Sequence, residues 1–144
     1  MINIQKNINL EKYNTLKIAA LAKFFCVVRN KEEIKEALIW ARIKKQKVFV
    51  LGSGSNVLLS KNFSGLVIKN ELKGYKLLSE KNDKVLVEAQ SGEIWTKFVN
   101  FTVDKGLYGL ENLFLIYGTV GAAPVQNIGA YGVELKDCFY SLRA

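Results

Sequence analysis

The 144-residue chain contains no histidine. That removes the commonest metal ligand and the commonest general base, and it excludes any histidine-containing catalytic triad within these residues. Cysteine is almost as scarce. Cys26 and Cys138 are the only two, too few and too far apart for a zinc-ligand spacing or a disulfide framework. Both sit in apolar or aromatic surroundings, so buried free thiols are expected. No apolar run approaches the roughly 18–20 residues that would cross a bilayer, and Met1 to Asn7 lacks the apolar core of a signal peptide. A reduced, cytoplasmic setting with no membrane partner follows as the expectation. Basic stripes are missing too. The net charge is +8, but the lysines are scattered and no block of five occurs. A nucleic-acid surface would need such a stripe interleaved with exposed aromatics, so no nucleic-acid partner is expected. The excess charge reads either as a solvated lysine surface or as a mild attraction for anionic ligands such as nucleotide phosphates. The single proline, Pro124, lies inside a glycine-rich region rather than in a linker. No metal site is expected.

What remains is an ordinary globular composition, 49% hydrophobic and 24% charged, enough to build one domain or two small lobes. Lys23–Val28 is β-branched and aromatic and reads as a buried strand. Asn30 with Glu33 approximates a capping box. Ile34, Leu38 and Ala41 then give a helical period over residues 31–45. Val48–Leu51 and Leu66–Ile68 read as short strands. Residues 13–18 fit a short strand or arm. After residue 70 the pattern changes. Gly74–Leu78 and Val85–Ala89 read as two strands turned by Glu80–Asp83. Ser91 reads as the cap of a helix with Ile94, Phe98 and Phe101 on one face, ending near Gly106. Cys138–Leu142 reads as the start of one more strand. The organisation is α+β, with lobes at 1–70 and 71–144.

Two glycine-rich stretches carry the functional signal. The first, Gly52, Ser53, Gly54, Ser55 and Asn56, directly follows the apolar strand. Its glycines allow consecutive N–H groups to face one concavity, and its hydroxyls add donors without filling the space, which suits a diphosphate. A dinucleotide fingerprint would need a third glycine where Val57 stands, and a P-loop would need Gly-Lys-Ser/Thr, so the loop belongs to neither class. A plain strand-to-strand turn remains the competing reading. The second stretch runs from Gly109 to Gly132. Six of the eleven glycines fall between Gly106 and Gly132. Gly121, Ala122 and Ala123 would leave room for a planar ligand against the main chain, and Thr119, Gln126 and Asn127 supply polar groups. A flavin wants this mixture, because its edge alternates donors and acceptors while its face is apolar. A glycine-rich structural loop is the bland alternative.

Gly52–Asn56, then Gly109-Leu-Glu-Asn112, then Gly118 to Gly132, taken in this order, resemble the UDP-N-acetylenolpyruvoylglucosamine reductase (UDP-N-acetylmuramate dehydrogenase) family. Asn14-Thr-Leu-Lys-Ile18 is similar to that family's N-terminal Asn-Thr-Phe segment, and Gln126 to Gly132 is the most specific piece. The resemblance runs over nearly the whole chain. It implies an FAD-binding fold of the p-cresol methylhydroxylase / vanillyl-alcohol oxidase type, built from two small α/β lobes, with the second lobe incomplete at residue 144 and the substrate-binding domain absent. It implies that Gly52, Ser53, Gly54, Ser55 and Asn56 bind the FAD pyrophosphate. Gly118, Thr119, Val120, Gly121, Ala122 and Ala123 would line the cofactor, with Gln126, Asn127, Gly129 and Tyr131 near the flavin and the mouth of the substrate site. In such reductases NADPH supplies the hydride, through FAD, to the enolpyruvyl double bond of a UDP-sugar, giving UDP-N-acetylmuramate for peptidoglycan synthesis. The family's arginine, its proton donor and its late glutamate have no counterpart among these residues, so no catalytic residue is assigned and the chain alone is expected to be inactive. Tyr117 stands where the family usually has proline, and Ala122 and Ala123 where some members carry serines. A truncated or degenerate non-catalytic FAD-binding or assembly module is the alternative reading.

Overall fold

In a computed structural model, which describes residues 2–143, the apolar segments of the first half assemble into a four-stranded sheet with one helix. The strands are β1 (Gln5–Asn9), β2 (Leu21–Val28), β3 (Val48–Leu51) and β4 (Phe63–Asn70), in the order β1-β2-β4-β3. β2 and β3 both run parallel to β4, whereas β1 is antiparallel to β2. β2 is buried on both faces, as expected for a strand inside a parallel sheet. Helix α1 (Lys31–Ile43) covers one face. There Ala37 and Ala41 meet Cys26, Val28, Leu66 and Ile68, and Phe24 and Trp40 make an edge-on ring contact at 4.9 Å. The opposite face holds Leu10, Ala22, Phe25, Leu51 and Val67, with the Tyr13 and Phe25 rings 4.6 Å apart.

Asn30 does cap α1: its side chain accepts from Glu33 N–H at 2.8 Å. The return bond is displaced by one residue, because the Glu33 carboxylate accepts from the N–H of Arg29 at 2.6 Å. The polar N-terminal segment hides β1, whose residues are nearly all exposed and therefore give no apolar alternation. Residues 13–18 are not a strand. A short 3₁₀ turn at Glu11–Tyr13 is followed by a loop organised by the buried Asn14 side chain.

The chain divides into two compact units at Leu72/Lys73. In the second, β5 (Tyr75–Lys81) and β6 (Lys84–Ala89) form an antiparallel hairpin. Its turn is Asn82–Asp83, both with positive φ, as a two-residue type I′ connection requires. Helix α2 (Trp95–Asp104) buries Trp95, Phe98, Val99 and Thr102. Phe101 is half-buried and meets the Tyr75 ring at 4.2 Å. The Trp95 indole N–H donates to the Leu113 carbonyl at 2.8 Å, so the large ring is buried without leaving its polar edge unpaired. Ser91 is not the helix cap. Ile94 occupies that position without a side-chain bond, and Ser91 lies in a preceding turn. Gly106, at φ +69°, closes the helix as expected. The strand expected at Cys138–Leu142 is not formed: a 3₁₀ turn at Leu135–Asp137 is followed by irregular chain. α+β holds as the fold class.

The thiols differ from expectation as well. Cys26 is buried, but Cys138 is exposed, with its Sγ donating to the Gly109 carbonyl at 3.0 Å. Burial, and after it the charge of Glu33, pushes the Cys26 thiol from 9.0 up to about 11. Because the folded value lies above the unfolded one, the neutral thiol favours the folded state below pH 9, and this contribution fades as the pH rises toward 11. A thiol reagent at pH 8 is expected to modify Cys138 quickly and Cys26 only on unfolding; two thiols reacting at one rate in the native protein would contradict this packing. Asn30→Ala is expected to cost about 1 kcal/mol through the lost cap, read as a lower midpoint in urea unfolding.

Candidate functional site

The first glycine loop is placed by the end of β3. Leu51 is fully buried, and the chain then turns through Gly52–Asn56. Gly54 adopts φ +73°, and a Cβ there would lie 2.2 Å from the Tyr13 carbonyl oxygen and 2.7 Å from Asn14 Cα. Glycine is therefore required twice over, by conformation and by main-chain approach. The segment it rests on is held from within. Asn14 is 3% exposed, and its amide donates to the carbonyls of Leu10 (2.8 Å) and Ile18 (3.0 Å) while its oxygen accepts from Ile18 N–H at 3.0 Å. Thr15 N–H then donates to the Gly54 carbonyl at 3.2 Å. The family resemblance of Asn14-Thr-Leu-Lys-Ile18 does not reveal the structural role of Asn14, which is to shape the segment on which the loop rests. The neighbouring Lys12, Thr15 and Lys17 are polar, so no local apolar pattern marks Asn14.

On the upper side of the loop the Ser53 and Ser55 hydroxyls lie 3.0 Å apart, both half-buried, and Asn56 is exposed. Lys69, on β4, donates its ammonium to the Gly52 carbonyl, putting a positive charge at the base of the turn. The wider field has the same sign. Thirteen of the 21 basic residues but only five of the 13 acidic ones precede Lys73, and eight of each lie from Lys73 onward, so the entire +8 excess belongs to the first unit. Hydroxyl donors, a glycine turn and a basic field form a donor set suited to phosphate oxygens.

In the second unit, residues 118–121 lie antiparallel to residues 91–95. Trp95 N–H donates to the Gly118 carbonyl (3.1 Å), Val120 N–H to the Glu93 carbonyl (2.9 Å) and Gly121 N–H to the Ser91 carbonyl (2.9 Å), with a bridge between Ile94 and Thr119. The space beside Gly121 is not open, as the sequence reading expected. A Cβ there would lie 2.6 Å from Ser91 Cβ and 2.9 Å from Ser91 O. The missing side chain admits Ser91. Ala123 is also a core residue, 2% exposed, packed in a cluster with Trp95, Val99 and Leu113. Thr119 is buried, whereas Gly118, Val120 and Ala122 are half-buried.

Beyond Ala123 the chain makes a 3₁₀ turn over Pro124–Gln126 and reverses at Asn127, which is left-handed at φ +42°. β7 (Gly129–Ala130) and β8 (Val133–Glu134) form a minimal hairpin whose turn residues, Tyr131 and Gly132, both have positive φ. Gln126, Asn127, Gly129 and Tyr131 are all exposed, Tyr131 at 89%. The Asn127 amide donates to the Glu134 carboxylate at 3.0 Å. Bonds first from Lys136 and then from Asn127 hold that carboxylate below its ordinary range. Among the described residues no group of three or more acidic or sulfur side chains is placed to hold a metal, and no helix is long and apolar enough to cross a membrane.

Comparison with known proteins agrees with the family resemblance. The family described as "FAD binding domain" matches residues 22–144. UDP-N-acetylenolpyruvoylglucosamine reductases of Flavobacterium johnsoniae and Pseudomonas aeruginosa are 50% and 47% identical to this chain over 143 residues, 99% of its length. The match covers 42% of each of those relatives, so the chain spans less than half of their length. Among solved structures, UDP-N-acetylenolpyruvylglucosamine reductase from Thermus caldophilus superposes with a TM-score of 0.72 at 26% identity, over 95% of this chain and 47% of that one. With the family match running over most of both units, the chain belongs to the FAD-binding domain family.

Proposed function

We propose that this chain is the FAD-binding part of an NADPH-dependent reductase that converts a UDP-N-acetylglucosamine enolpyruvate to UDP-N-acetylmuramate in peptidoglycan synthesis, in the cytoplasm. The observation that carries the reading is the hydroxyl-lined turn Gly52–Asn56, fixed on Tyr13–Asn14 inside the positively charged unit, in a chain similar over 99% of its length to reductases of that name. The fold is read as the p-cresol methylhydroxylase / vanillyl-alcohol oxidase type, with lobes at 1–70 and 71–144.

The pyrophosphate is assigned to Gly52, Ser53, Gly54, Ser55 and Asn56. Within that set Gly54 acts through shape, and the hydroxyls of Ser53 and Ser55 act as donors. The flavin is assigned to the stretch Gly118 to Tyr131. There Gly121 and Ala123 fix the loop, and the exposed Gln126, Asn127 and Tyr131 supply the surface a ligand meets. Bound FAD would supply a two-electron carrier able to accept and pass on a hydride. No acid or base is assigned among these residues. Glu93, the one buried carboxylate among the described residues, is tied to backbone N–H groups and Lys73.

Titration of the protein with FAD is expected to quench flavin fluorescence and to give a yellow, saturable complex; a folded sample that remains colourless at high FAD concentration refutes the cofactor assignment. Ser53→Ala with Ser55→Ala is expected to weaken FAD binding by about ten-fold or more through lost phosphate hydrogen bonds, with little change in thermal stability. Gly54→Ala is expected to lower both, costing more than about 1 kcal/mol of stability because neither its φ nor its neighbours admit a Cβ.

A further inference from the structure

The Gly118–Gly121 loop has no rigid segment of its own. It borrows its geometry from residues 91–95, to which it is joined by three main-chain bonds and the close approach of Gly121 to Ser91. Of those residues only Trp95 is helical, as the first residue of α2, and residues 91–94 before it are irregular. Something must hold them, and the polar group at their centre is Glu93. Its side chain is 11% exposed. One carboxylate oxygen accepts from Gly74 N–H at 3.0 Å, the other from Ile94 N–H at 3.1 Å, and the Lys73 ammonium lies 3.6 Å away. Lys73 also donates to the Gly92 carbonyl, so one cation clamps both the carboxylate and the turn. The backbone of the same glutamate accepts from Val120. Burial by itself would raise the Glu93 pKa. The N–H bonds from Gly74 and Ile94, with Lys73, outweigh it and keep the group below the ordinary carboxylate range.

We propose that Glu93 is a positioning residue for the cofactor-binding loop, its carboxylate pinning residues 91–95 to the Lys73–Gly74 segment so that the Ser91 and Glu93 carbonyls hold Gly121 and Val120 in place. The inference extends the FAD reading to a residue that touches neither loop nor ligand through its side chain. The loop claim itself concerns only residues 73–121. Glutamine at this position keeps the shape and one acceptor but loses the charge that holds Lys73 and one of the two N–H contacts, which are among the stronger hydrogen bonds a protein makes.

The test compares Glu93→Gln and Lys73→Met with a control, Val99→Ala, which opens the same unit's core without touching the clamp. Two quantities are read in the protein: amide hydrogen exchange at Val120, Gly121 and Trp95, and FAD affinity by flavin fluorescence. Glu93→Gln is expected to speed exchange at those three amides selectively and to weaken FAD binding at least about ten-fold. Lys73→Met should do the same to a smaller degree, and combining the two should add little. Val99→Ala, though less stable, should show neither selective exchange nor the affinity loss. Unchanged exchange at Val120 and Gly121 in both Glu93→Gln and Lys73→Met overturns the proposal, as does an equal response in the control. If the unaltered protein binds no FAD, the cofactor reading fails while the exchange experiment still decides the role of Glu93. Should Glu93→Gln not fold, Lys73→Met alone decides.

Discussion

An approach of neighbouring chain too close to admit a Cβ is the constraint on which both glycine loops depend. At Gly54 the neighbour is the Tyr13–Asn14 backbone, and at Gly121 it is Ser91. In each case the glycine is the passive partner, because its lack of a Cβ permits an approach that the other segment must then hold. The holding residues are polar and buried. Asn14, 3% exposed, ties together the backbone of residues 10–18, and Glu93, 8% exposed, ties residues 91–95 to Lys73–Gly74. Such groups are costly to bury unless every lone pair and proton finds a partner. Both find theirs, and no buried side-chain nitrogen or oxygen among the described residues lacks one.

This explains which parts of the molecule could be read from residues alone. Strand β2 and helix α1 announce themselves through their apolar residues, and Asn30 caps as its residue type suggests, but Leu38, expected on the packed face of α1, is 46% exposed, and β3 buries Leu51 while Val48 and Val50 stay exposed. β1 does not announce itself. Its register with β2 pairs Gln5 with Phe25 and Asn9 with Leu21, while all its side chains but the partly buried Ile8 are exposed. Ser91 looks like a cap because a serine precedes an amphipathic run. The structure uses its carbonyl as an acceptor for Gly121 and starts the helix at Ile94 instead. Cys138 has an aromatic successor, which suggested burial, yet its partner is the Gly109 carbonyl at an exposed turn.

The glycine loops show the same division. Their composition marks them as unusual backbone, and their order matches a known family. What composition does not reveal is which residue does what. Gly121 reads as space for a ligand, but the space is occupied from the protein side. Lys69 and Lys73 read as two of many surface lysines. Each instead donates to a loop carbonyl, Gly52 in one unit and Gly92 in the other, and so stiffens a turn that has no side-chain core. These roles are tertiary. They depend on residues 17 and 19 positions away in the chain, beyond any local pattern.

In residues 124–132 exposure and strain coincide. Asn127 and Tyr131 both take positive φ without being glycine, a conformation that costs an ordinary residue on the order of 1 kcal/mol. Val125 and Tyr131 are among the most exposed apolar residues of the protein, at 86% and 89%. At the surface the Asn127 amide is held by the Glu134 carboxylate. Further restraint comes from two buried anchors on either side of the hairpin, Ile128 and Leu135, joined by the bond from Leu135 N–H to the Ile128 carbonyl at 2.8 Å. Both anchors belong to the apolar cluster that contains Trp95 and Ala123. Core packing therefore offsets the strain of an exposed tip. A chain selected for stability alone would place glycine at both left-handed positions; asparagine and tyrosine there supply an amide and a phenol to the surface in return for that cost.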